Sequence, residues 1–365
     1  MKVHSIYPSE DSEKAISNYT KQLIKAQREQ GIEINPIEYT AGNSSTLKLD
    51  DIKDGDVVHI QHEYNLLGRY GMPFFNLYSN LAGKKVRKIT TMHNVLSQKQ
   101  EFNESKIKTY FRKMLYRFQN KEIRDNSDII IVHAEFFKKI LVEEYDVPRE
   151  KIIVLRQGIQ EDIKLIPQKQ AKKELNLKGN VYLIIGSLIP DHGADIIINQ
   201  ANEIGGTILV VANDKAVNDR NDSRIKEWLR YLKEDVKLKN IKNIRFDIKD
   251  LPYELWWKYF AAADVVLLPY KGGIGSGIFA DCIATRKPIV GSNIKYFREF
   301  AEDWKFIRIA ETMKTCGNNV SSRCDYAQAI KGIMSEDIDD DFNKYIKENG
   351  LTNLTNKYKD IYGKL

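Results

Sequence analysis

The C-terminal half of the chain contains a glycine-rich loop between two apolar segments. Residues 262–292 read AADVVLLPYKGGIGSGIFADCIATRKPIVGS. The unbroken apolar run Val265 to Leu268 predicts a strand that is buried on both faces, and a helix is expected to begin at Ser276 and Gly277. The unpaired amides and positive dipole at a helix start attract phosphate. We therefore expect a phosphate-bearing small molecule to bind here, although a tight turn that serves only the fold has the same pattern.

The same loop contains Gly275-x-Gly277-x-x-Ala280, which is close to the dinucleotide-binding fingerprint. That fingerprint requires an acidic residue at the end of the following strand, where the acid binds the ribose. Residues 291–293 are Gly-Ser-Asn, so the acid is missing from the expected position. The pattern therefore disfavours a nicotinamide or flavin cofactor.

Polar side chains also follow two apolar segments in the N-terminal half. His93 comes after the predicted strand from Val86 to Met92, and His62 and Glu63 come after the apolar run Val57 to Ile60. Ligands of parallel sheets bind at the carboxyl ends of the strands, so these side chains are candidates for a site. Glu63 is a candidate to bind a substrate hydroxyl group. Polar strand ends that only support the fold are the alternative at each position.

Strand-like and helix-like segments alternate along the chain in two series. The first series of predicted strands is 3–7, 56–61, 86–92, 128–133 and 152–155, and the second is 181–185, 207–211, 244–246, 265–268 and 289–291. This alternation predicts parallel sheets covered by helices. We expect an α/β fold with two Rossmann-like, doubly wound domains that face a cleft.

The length of 365 residues exceeds what one typical core supports. The polar stretch 160–179 contains Pro167 and no strand-like run, so it is the expected linker. The predicted domains are 1–160 and 161–340. A helical tail, 341–365, is expected to pack back across the first domain.

The composition narrows the class of partner. The chain has 57 Lys and Arg against 50 Asp and Glu, which gives a net charge of +7. This mild excess suits an anionic ligand, but no basic arm or nucleic-acid module accompanies it, so nucleic acid is excluded as a partner. Three cysteines are too few for a disulfide framework and lack zinc spacing, so no metal site is expected. Without a signal-like start, the expected location is the cytoplasm.

Residues 106–121, KIKTYFRKMLYRFQNK, place basic and aromatic side chains at helical spacing. Such a helix can lie on an anionic lipid surface. The alternative is a Rossmann-domain helix that packs its apolar face on the sheet. The first interpretation predicts a loose, peripheral contact with the inner face of the membrane.

Together these segments resemble the GT-B class of glycosyltransferases, and specifically retaining family 4. AADVVLLPY…SGIFADCIATRKPIV resembles the family's C-terminal strand–loop–helix block, LIIGSLIPDHGADIII resembles its GR…KG block, and KIIVLRQGI resembles the segment between its domains. DIIIVHAEFFKKIL, VVHIQHEYNLLGRYG and TTMHN resemble blocks of its first domain. The resemblance spans nearly the full chain, in the family's order.

The resemblance implies roles for particular residues. Gly275, Ser276 and Gly277 would present the helix start to the diphosphate of a nucleotide sugar. Asp281 would hydrogen-bond the nucleotide ribose, although a carboxylate in the first turn is also favoured by the helix dipole. His93 matches the family's active-site histidine near the sugar, and its neutral imidazole can accept or donate a hydrogen bond there.

Three positions depart from the family's pattern. Ser187 stands where the family has a diphosphate-binding arginine, His192 stands where it has a lysine, and Gly273 replaces the first glutamate of its E-x7-E motif. Fixed cations stabilise the growing charge of the leaving group, so their loss matters. A protonated His192 or the cations Lys271 and Arg286 are candidates to replace them.

The expected function is transfer of a sugar from a nucleotide-diphosphate sugar to a glycan or lipid-linked acceptor, with retention. The nucleotide sugar is the donor substrate, and no other cofactor is expected. His93 of the first domain and the helix start at Ser276 and Gly277 are expected to converge on one sugar diphosphate. A catalytically silent GT-B subunit that supports an active partner is the alternative, because of the departures above.

Overall fold

The computed structural model describes residues 2–11, 14–43, 46–64, 66, 75–100, 105–217, 223–272, 276–314 and 322–363. The chain divides into two compact units. Unit 1 comprises Met1–Gly158 and Glu348–Leu365, and unit 2 comprises Ile159–Lys347. Each unit has its own parallel sheet.

Unit 1 is built from strands and helices in alternation. Its elements are β1 (Val3–Pro8), α1 (Lys14–Glu29), β2 (Ile34–Tyr39), β3 (Val57–His62), α2 (Phe75–Leu81), β4 (Arg87–Met92), α3 (Lys106–Asn126), β5 (Ile129–Val132), α4 (Glu135–Tyr145) and β6 (Ile152–Val154). The strand order β2-β1-β3-β4-β5-β6 is parallel throughout. All residues of β1 and β3 are buried, as expected for strands with helices on both faces.

The C-terminal helix completes the core of unit 1. Helix α15 (Leu351–Gly363) buries Leu354, Tyr358 and Tyr362, and these side chains share a core cluster with Leu23 of α1. The 3.6-residue period places the buried side chains on one face. The tail of the chain therefore belongs to the same core as its first helix.

Unit 2 has the same alternation. Its elements are α5 (Gln168–Glu174), β7 (Val181–Ile185), α6 (Ala194–Ile198), α7 (Ala201–Ile204), β8 (Thr207–Asn213), α8 (Asp214–Val217), α9 (Arg224–Leu238), β9 (Ile244–Lys249), α10 (Tyr253–Ala262), β10 (Val265–Leu268), α11 (Gly277–Ala284), β11 (Ile289–Gly291), α12 (Lys295–Asp303), β12 (Ile307–Ile309), the short pair β13 (Thr312–Lys314) and β14 (Ser322–Cys324), and α13 (Tyr326–Met334). Helix α14 (Asp339–Asn349) begins in unit 2 and ends in unit 1.

The main sheet of unit 2 has the order β12-β11-β10-β7-β8-β9 among the described residues. The chain runs outward from β7 to β8 and β9, and then returns to the other side of β7 to form β10. The strand order therefore reverses between β7 and β10. A crevice for ligands opens at the carboxyl ends of the strands at such a switch point.

The predicted fold class of two Rossmann-like units is confirmed. The bounds predicted for β7, β10 and β11 agree with the structure, whereas β2 and β12 were not predicted. The expected linker also contains an element, since α5 lies inside 160–179. In the tail, the contact division falls after Lys347, within α14.

The backbone at Gly193 passes closer to the end of β10 than a side chain allows. Gly193 has a φ of +68°, and a Cβ atom placed on it would lie 1.9 Å from the carbonyl oxygen of Pro269. Both the left-handed φ and the lack of space exclude other residues. This contact holds the loop after β7 against the residues that follow β10.

We expect Gly193→Ala to destabilise unit 2 by about 3 kcal/mol or more, because the new Cβ adds a clash with the backbone to the strain of a left-handed φ. Urea denaturation followed by tryptophan fluorescence measures the free energy of unfolding. The signal reports on unit 2 because all four tryptophans of the chain lie in it, at positions 228, 256, 257 and 304.

Gly179→Ala is the matched control. Gly179 has a φ of +66°, but a Cβ atom there would meet nothing within 4 Å. Only the backbone strain remains, so we expect a loss of about 1 kcal/mol. Equal losses in the two variants would show that the approach to Pro269 does not constrain the fold.

Candidate functional site

The switch point of unit 2 brings together three segments that are far apart in the sequence. Gly186 follows β7 with a φ of +119°, and a Cβ atom on it would lie 3.2 Å from Ile278 in the first turn of α11. The loop after β7, the residues after β10 and the start of α11 therefore lie side by side. Candidate residues from all three segments surround this part of the sheet.

Ser276 is the N-cap of α11. Its Oγ accepts a hydrogen bond from the amide of Phe279 at 3.2 Å and lies 3.0 Å from the hydroxyl of Tyr270. Gly277 is exposed, and its amide has no hydrogen-bond partner within the described parts of the chain. The helix start thus has a capped amide at Phe279 and an accessible one at Gly277. Gly275 and Gly273 lie outside the described residues.

His192 lies against this helix start through Tyr270. Its ring stacks on the Tyr270 ring with 4.6 Å between centroids and 18° between planes. Its Nδ1 donates a hydrogen bond to the carbonyl oxygen of Ser187 at 2.6 Å. Because that acceptor fixes the proton on Nδ1, neutral His192 has its lone pair on Nε2. Ser187 thus contributes its main chain here.

Burial lowers the pKa of His192, and the Ser187 carbonyl and the Asp191 carboxylate oppose this shift. The neutral form therefore dominates at neutral pH in the free protein. His192 can therefore replace a fixed lysine as a cation only if a bound anion raises its pKa, so that the ring takes up a proton. The neutral ring still supplies a polar atom beside α11.

The two other candidate cations differ in their positions. Lys271 directly follows Tyr270, but its Nζ forms an ion pair with Asp195 at 2.8 Å. Arg286 lies beyond the carboxyl end of α11, so the rise of the helix separates it from Ser276 by roughly 13 Å. The backbone of Arg286 thus lies at the opposite end of α11 from the helix start. Lys271 lies close to the site and carries a counter-ion.

Asp281 lies one turn into α11, on the same face as Gly277 because four residues separate them. It is therefore not a carboxylate of the first turn. Its Oδ2 accepts a hydrogen bond from Nε1 of Trp256 at 3.1 Å. Burial raises the pKa of Asp281 to about 7, and the Trp256 hydrogen bond opposes this shift. One carboxyl oxygen of Asp281 is thus held by Trp256.

In unit 1, His93 lies directly after β4 and is only partly exposed. Its Nε2 lies 2.9 Å from the side-chain amide of Gln61 on β3, and its Nδ1 lies 3.4 Å from Nε2 of His133 after β5. Burial lowers the pKa of His93 well below its usual value, and the neighbouring His133 adds to the shift. The ring is therefore a neutral hydrogen-bonding group, as the sequence predicts.

Glu63 lies beside this cluster and is engaged within unit 1. One carboxylate oxygen accepts from the amide of Tyr64 at 2.9 Å, and the other accepts from the side chain of Asn94. These contacts fix the segments that follow β3 and β4 to each other. They match the interpretation that Glu63 supports the fold at the edge of the candidate site.

Several contributors were not predicted from the sequence. Tyr270 and Trp256 in unit 2, and Gln61 and His133 in unit 1, contact the predicted residues directly. Of these four residues, only Gln61 has a signal in the sequence. It lies two positions after His59, so the two polar side chains share one face of β3. Within the described ranges, no group of three His, Cys, Asp or Glu is arranged to hold a metal ion.

The comparisons with known proteins agree with this architecture. The sequence model of glycosyltransferase family 4 matches residues 46–162. No curated protein matches the sequence. The resemblance found in the sequence is thus confirmed by an independent match in the first unit.

Solved structures extend the likeness to the whole chain. A sucrose-phosphate synthase from Thermosynechococcus elongatus has 13% identity and a TM-score of 0.73, over 100% of this chain and 99% of that chain. HepE from Anabaena, in complex with UDP and glucose, has 10% identity and a TM-score of 0.68, with 100% of both chains covered. A glycosyltransferase from Rickettsia africae ESF-5 has 15% identity and a TM-score of 0.64, with 100% and 98% covered. These matches establish the GT-B fold.

We expect Asp281→Asn to stabilise unit 2 by about 1–3 kcal/mol at pH 8 and by much less at pH 5. The carboxyl group of the folded chain binds protons up to about pH 7, whereas that of the unfolded chain releases them near pH 4. The stability that this group contributes therefore falls as the pH rises through that window. Asparagine keeps an acceptor for Trp256 and does not titrate.

Urea denaturation at several pH values, followed by tryptophan fluorescence, measures this difference. Asp303→Asn, at an exposed position of α12, measures the effect of the same substitution away from the site. A difference between wild type and Asp281→Asn that is constant from pH 5 to pH 8 would contradict the buried environment of this carboxyl group.

Proposed function

We propose that the protein transfers a sugar from a nucleotide-diphosphate sugar to a glycan or lipid-linked acceptor, with retention at the anomeric carbon. The main support is the switch point of unit 2, where the accessible amide of Gly277 begins a helix beside His192 and one turn before Asp281. Amides and a helix dipole suit a diphosphate, and a carboxylate one turn later suits a ribose hydroxyl. A GT-B relative, HepE, has been solved with UDP and glucose, so UDP-glucose is the first donor to test.

In this proposal unit 2 holds the leaving group. Negative charge grows on the diphosphate as the bond to the sugar breaks, and donors fixed beforehand stabilise it best. The first turn of α11 is fixed by the bond from the Phe279 amide to Ser276, and His192 is fixed by Ser187 and Tyr270. His192 can take up a proton when the diphosphate arrives, because an adjacent anion favours the charged imidazole.

Unit 1 supplies groups for the sugar and the acceptor. His93 is held by Gln61 and His133 and offers a neutral, partly exposed imidazole after β4. Neutral imidazole can hydrogen-bond to a sugar hydroxyl without the cost of burying a charge. We assign His93 to the transfer step and Glu63 to the support of this loop and of an acceptor hydroxyl.

Helix α3 supports a peripheral contact with a lipid surface, where a lipid-linked acceptor would reside. Its apolar side chains Ile107, Phe111 and Phe118 are 71%, 54% and 50% exposed, so they do not pack on the sheet. Lys and Arg side chains flank them along the same helix. Apolar side chains bordered by cations suit an anionic membrane surface. Among the described residues, no helix is long and apolar enough to cross a membrane.

A silent GT-B subunit is the second candidate. It is favoured by Ser187 and His192, which stand where the resemblance places two fixed cations. Without those cations a nucleotide can still bind to amides, while the growing charge in the transition state receives less stabilisation. Nucleotide binding without transfer to any acceptor would favour this candidate.

We expect His93→Ala to lower turnover roughly 10- to 1000-fold with little effect on UDP affinity, because one positioned hydrogen-bonding group is lost from the transfer step. Asp281→Ala should instead weaken UDP binding by about 10-fold or more, because a hydrogen bond to the ribose is lost. Titration calorimetry with UDP and a donor-consumption assay measure the two effects.

The two variants test the proposed roles of the two units separately. Unchanged turnover of His93→Ala in an active preparation would overturn the role of His93. Unchanged UDP affinity of Asp281→Ala would overturn the ribose contact. If the wild-type chain binds none of a panel of nucleotides, the donor site itself is refuted.

We expect the protein to bind vesicles that contain anionic phospholipid and not vesicles of zwitterionic lipid alone. The double variant Phe111→Ser, Phe118→Ser should bind about 10-fold or more weakly, because two apolar side chains no longer enter the lipid. Vesicle sedimentation measures the bound fraction. Leu238→Ser is the control, since Leu238 is 86% exposed but lies in unit 2 on α9. An equal loss in this control would refute docking through α3.

A further inference from the structure

Both ring nitrogens of His93 already have protein partners. Nε2 faces the side-chain amide of Gln61 at 2.9 Å, and Nδ1 faces Nε2 of His133 at 3.4 Å. The rings of His93 and His133 lie 5.1 Å apart. The protonation pattern of His93, and hence what it can offer a substrate, is therefore decided by these two neighbours.

His133 has only one possible neutral tautomer in this setting. Its Nδ1 lies 2.8 Å from the carbonyl oxygen of Leu155. A carbonyl oxygen can only accept a hydrogen bond, so the proton of His133 must be on Nδ1. The Nε2 of neutral His133 then carries a lone pair, and this lone pair faces His93.

The surroundings keep the imidazoles neutral. Burial lowers the pKa of His133 to about 4, and the Arg156 guanidinium, which donates to the main chain of His133, adds to the shift. The groups that face His93 are His59, Gln61 and His62 of β3, His133 after β5, and the Tyr19 ring from α1. The three histidines lower the pKa of His93 further.

With His133 neutral, His93 must donate from Nδ1. The opposite tautomer would place two lone pairs opposite each other across the 3.4 Å contact. The Nε2 of His93 then carries the lone pair, and Gln61 must turn its NH₂ group toward it. The two ends of a side-chain amide have nearly the same shape, so the hydrogen-bond network decides this orientation.

The other hydrogen bonds of the network are compatible with this orientation of Gln61. Nε2 of His59 then carries a proton, which the hydroxyl oxygen of Thr91 at 2.8 Å and the amide oxygen of Gln61 at 3.3 Å can accept. Nδ1 of His59 lies 2.8 Å from the hydroxyl of Tyr362 on α15, which donates to it. That hydroxyl also accepts from Gln27 of α1 at 3.2 Å. Every polar atom in the series has a partner of the opposite kind.

We propose that His133 is a positioning residue that holds His93 in the tautomer with its proton on Nδ1, so that Nε2 of His93 is an acceptor for a sugar hydroxyl. The functional part of this inference rests on the proposed transfer reaction. Gln61 occupies the acceptor atom in the free protein and gives it up when a hydroxyl arrives. The Leu155 carbonyl, which can only accept, sets the direction of this series of hydrogen bonds.

Nitrogen-15 NMR of the histidine rings tests the proposal in the full chain without substrate. The chain has six histidines, and His93→Gln assigns the signal of His93 by its loss. We expect wild-type His93 to show a protonated Nδ1 and a bare Nε2. A protonated Nε2 in the wild type would overturn the proposal.

Two variants of His133 separate positioning from packing. His133→Asn keeps an amide that can donate to Leu155 but lacks a group that reaches His93. We expect His93 to move its proton to Nε2 and kcat to fall about 10- to 100-fold, with KM for the donor nearly unchanged. His133→Gln reaches the position of Nε2, and its amide oxygen can accept from His93. We expect it to keep the Nδ1 tautomer and to restore kcat to within about threefold of wild type.

A changed tautomer with unchanged kcat, or the same loss of kcat in both variants, would overturn the positioning role. Gln61→Glu gives an independent test, because a carboxylate accepts but does not donate and so draws a proton to Nε2 of His93. With His133 still accepting from Nδ1, we expect both ring nitrogens of His93 to carry protons, and a bare Nδ1 in this variant would contradict the role of His133. If no sugar nucleotide is turned over, the proposed function fails, and the ring spectra still decide the tautomer.

Discussion

The close approach of Gly193 to Pro269 is the constraint on which the candidate site of unit 2 depends. The missing side chain lets the loop after β7 lie directly on the residue that follows β10. This places His192 on the ring of Tyr270 and the hydroxyl of Tyr270 on Ser276. The start of α11 is thus tied to the loop after β7 by stacking and hydrogen bonds. A site for an anion then needs little rearrangement of the protein, which favours catalysis by groups fixed in advance.

The sequence predicts the central strands well because a strand that is buried on both faces is an unbroken apolar run. Val181 to Ile185 and Val265 to Leu268 are unbroken apolar runs, and the structure has strands with those bounds. Strand β2 differs, since INPIEY contains Pro36 and mixes buried and exposed residues at the edge of its sheet. Proline is tolerated at an edge, where its missing N–H costs no ladder bond. The local sequence of β2 is therefore typical of a loop.

The candidate site was predictable only where one segment contains the whole signal. A serine before glycine at the expected helix start predicts the cap at Ser276, and the structure has that cap. Trp256 is 25 residues from its partner Asp281, and His133 is 40 residues from His93. Such pairs depend on which strands become neighbours, and a single sequence does not specify that order. Arg286 follows the carboxyl end of α11, so closeness in the sequence does not by itself bring it to the helix start.

The two units share one way of keeping polar groups in a buried setting. In unit 1, His93 and His133 stay neutral, and their ring nitrogens pair with each other, with the Gln61 side chain and with the Leu155 carbonyl. In unit 2 burial lowers the pKa of His192 and raises that of Asp281 to about 7, so both favour their neutral forms. Neutral groups are far less costly to bury than fixed charges, provided that each has a partner. A neutral His192 takes up a proton more readily when an anion binds beside it. In the proposed reaction, the positive charge at this helix start would therefore depend on the binding of the diphosphate, whereas a fixed arginine and lysine would carry that charge beforehand.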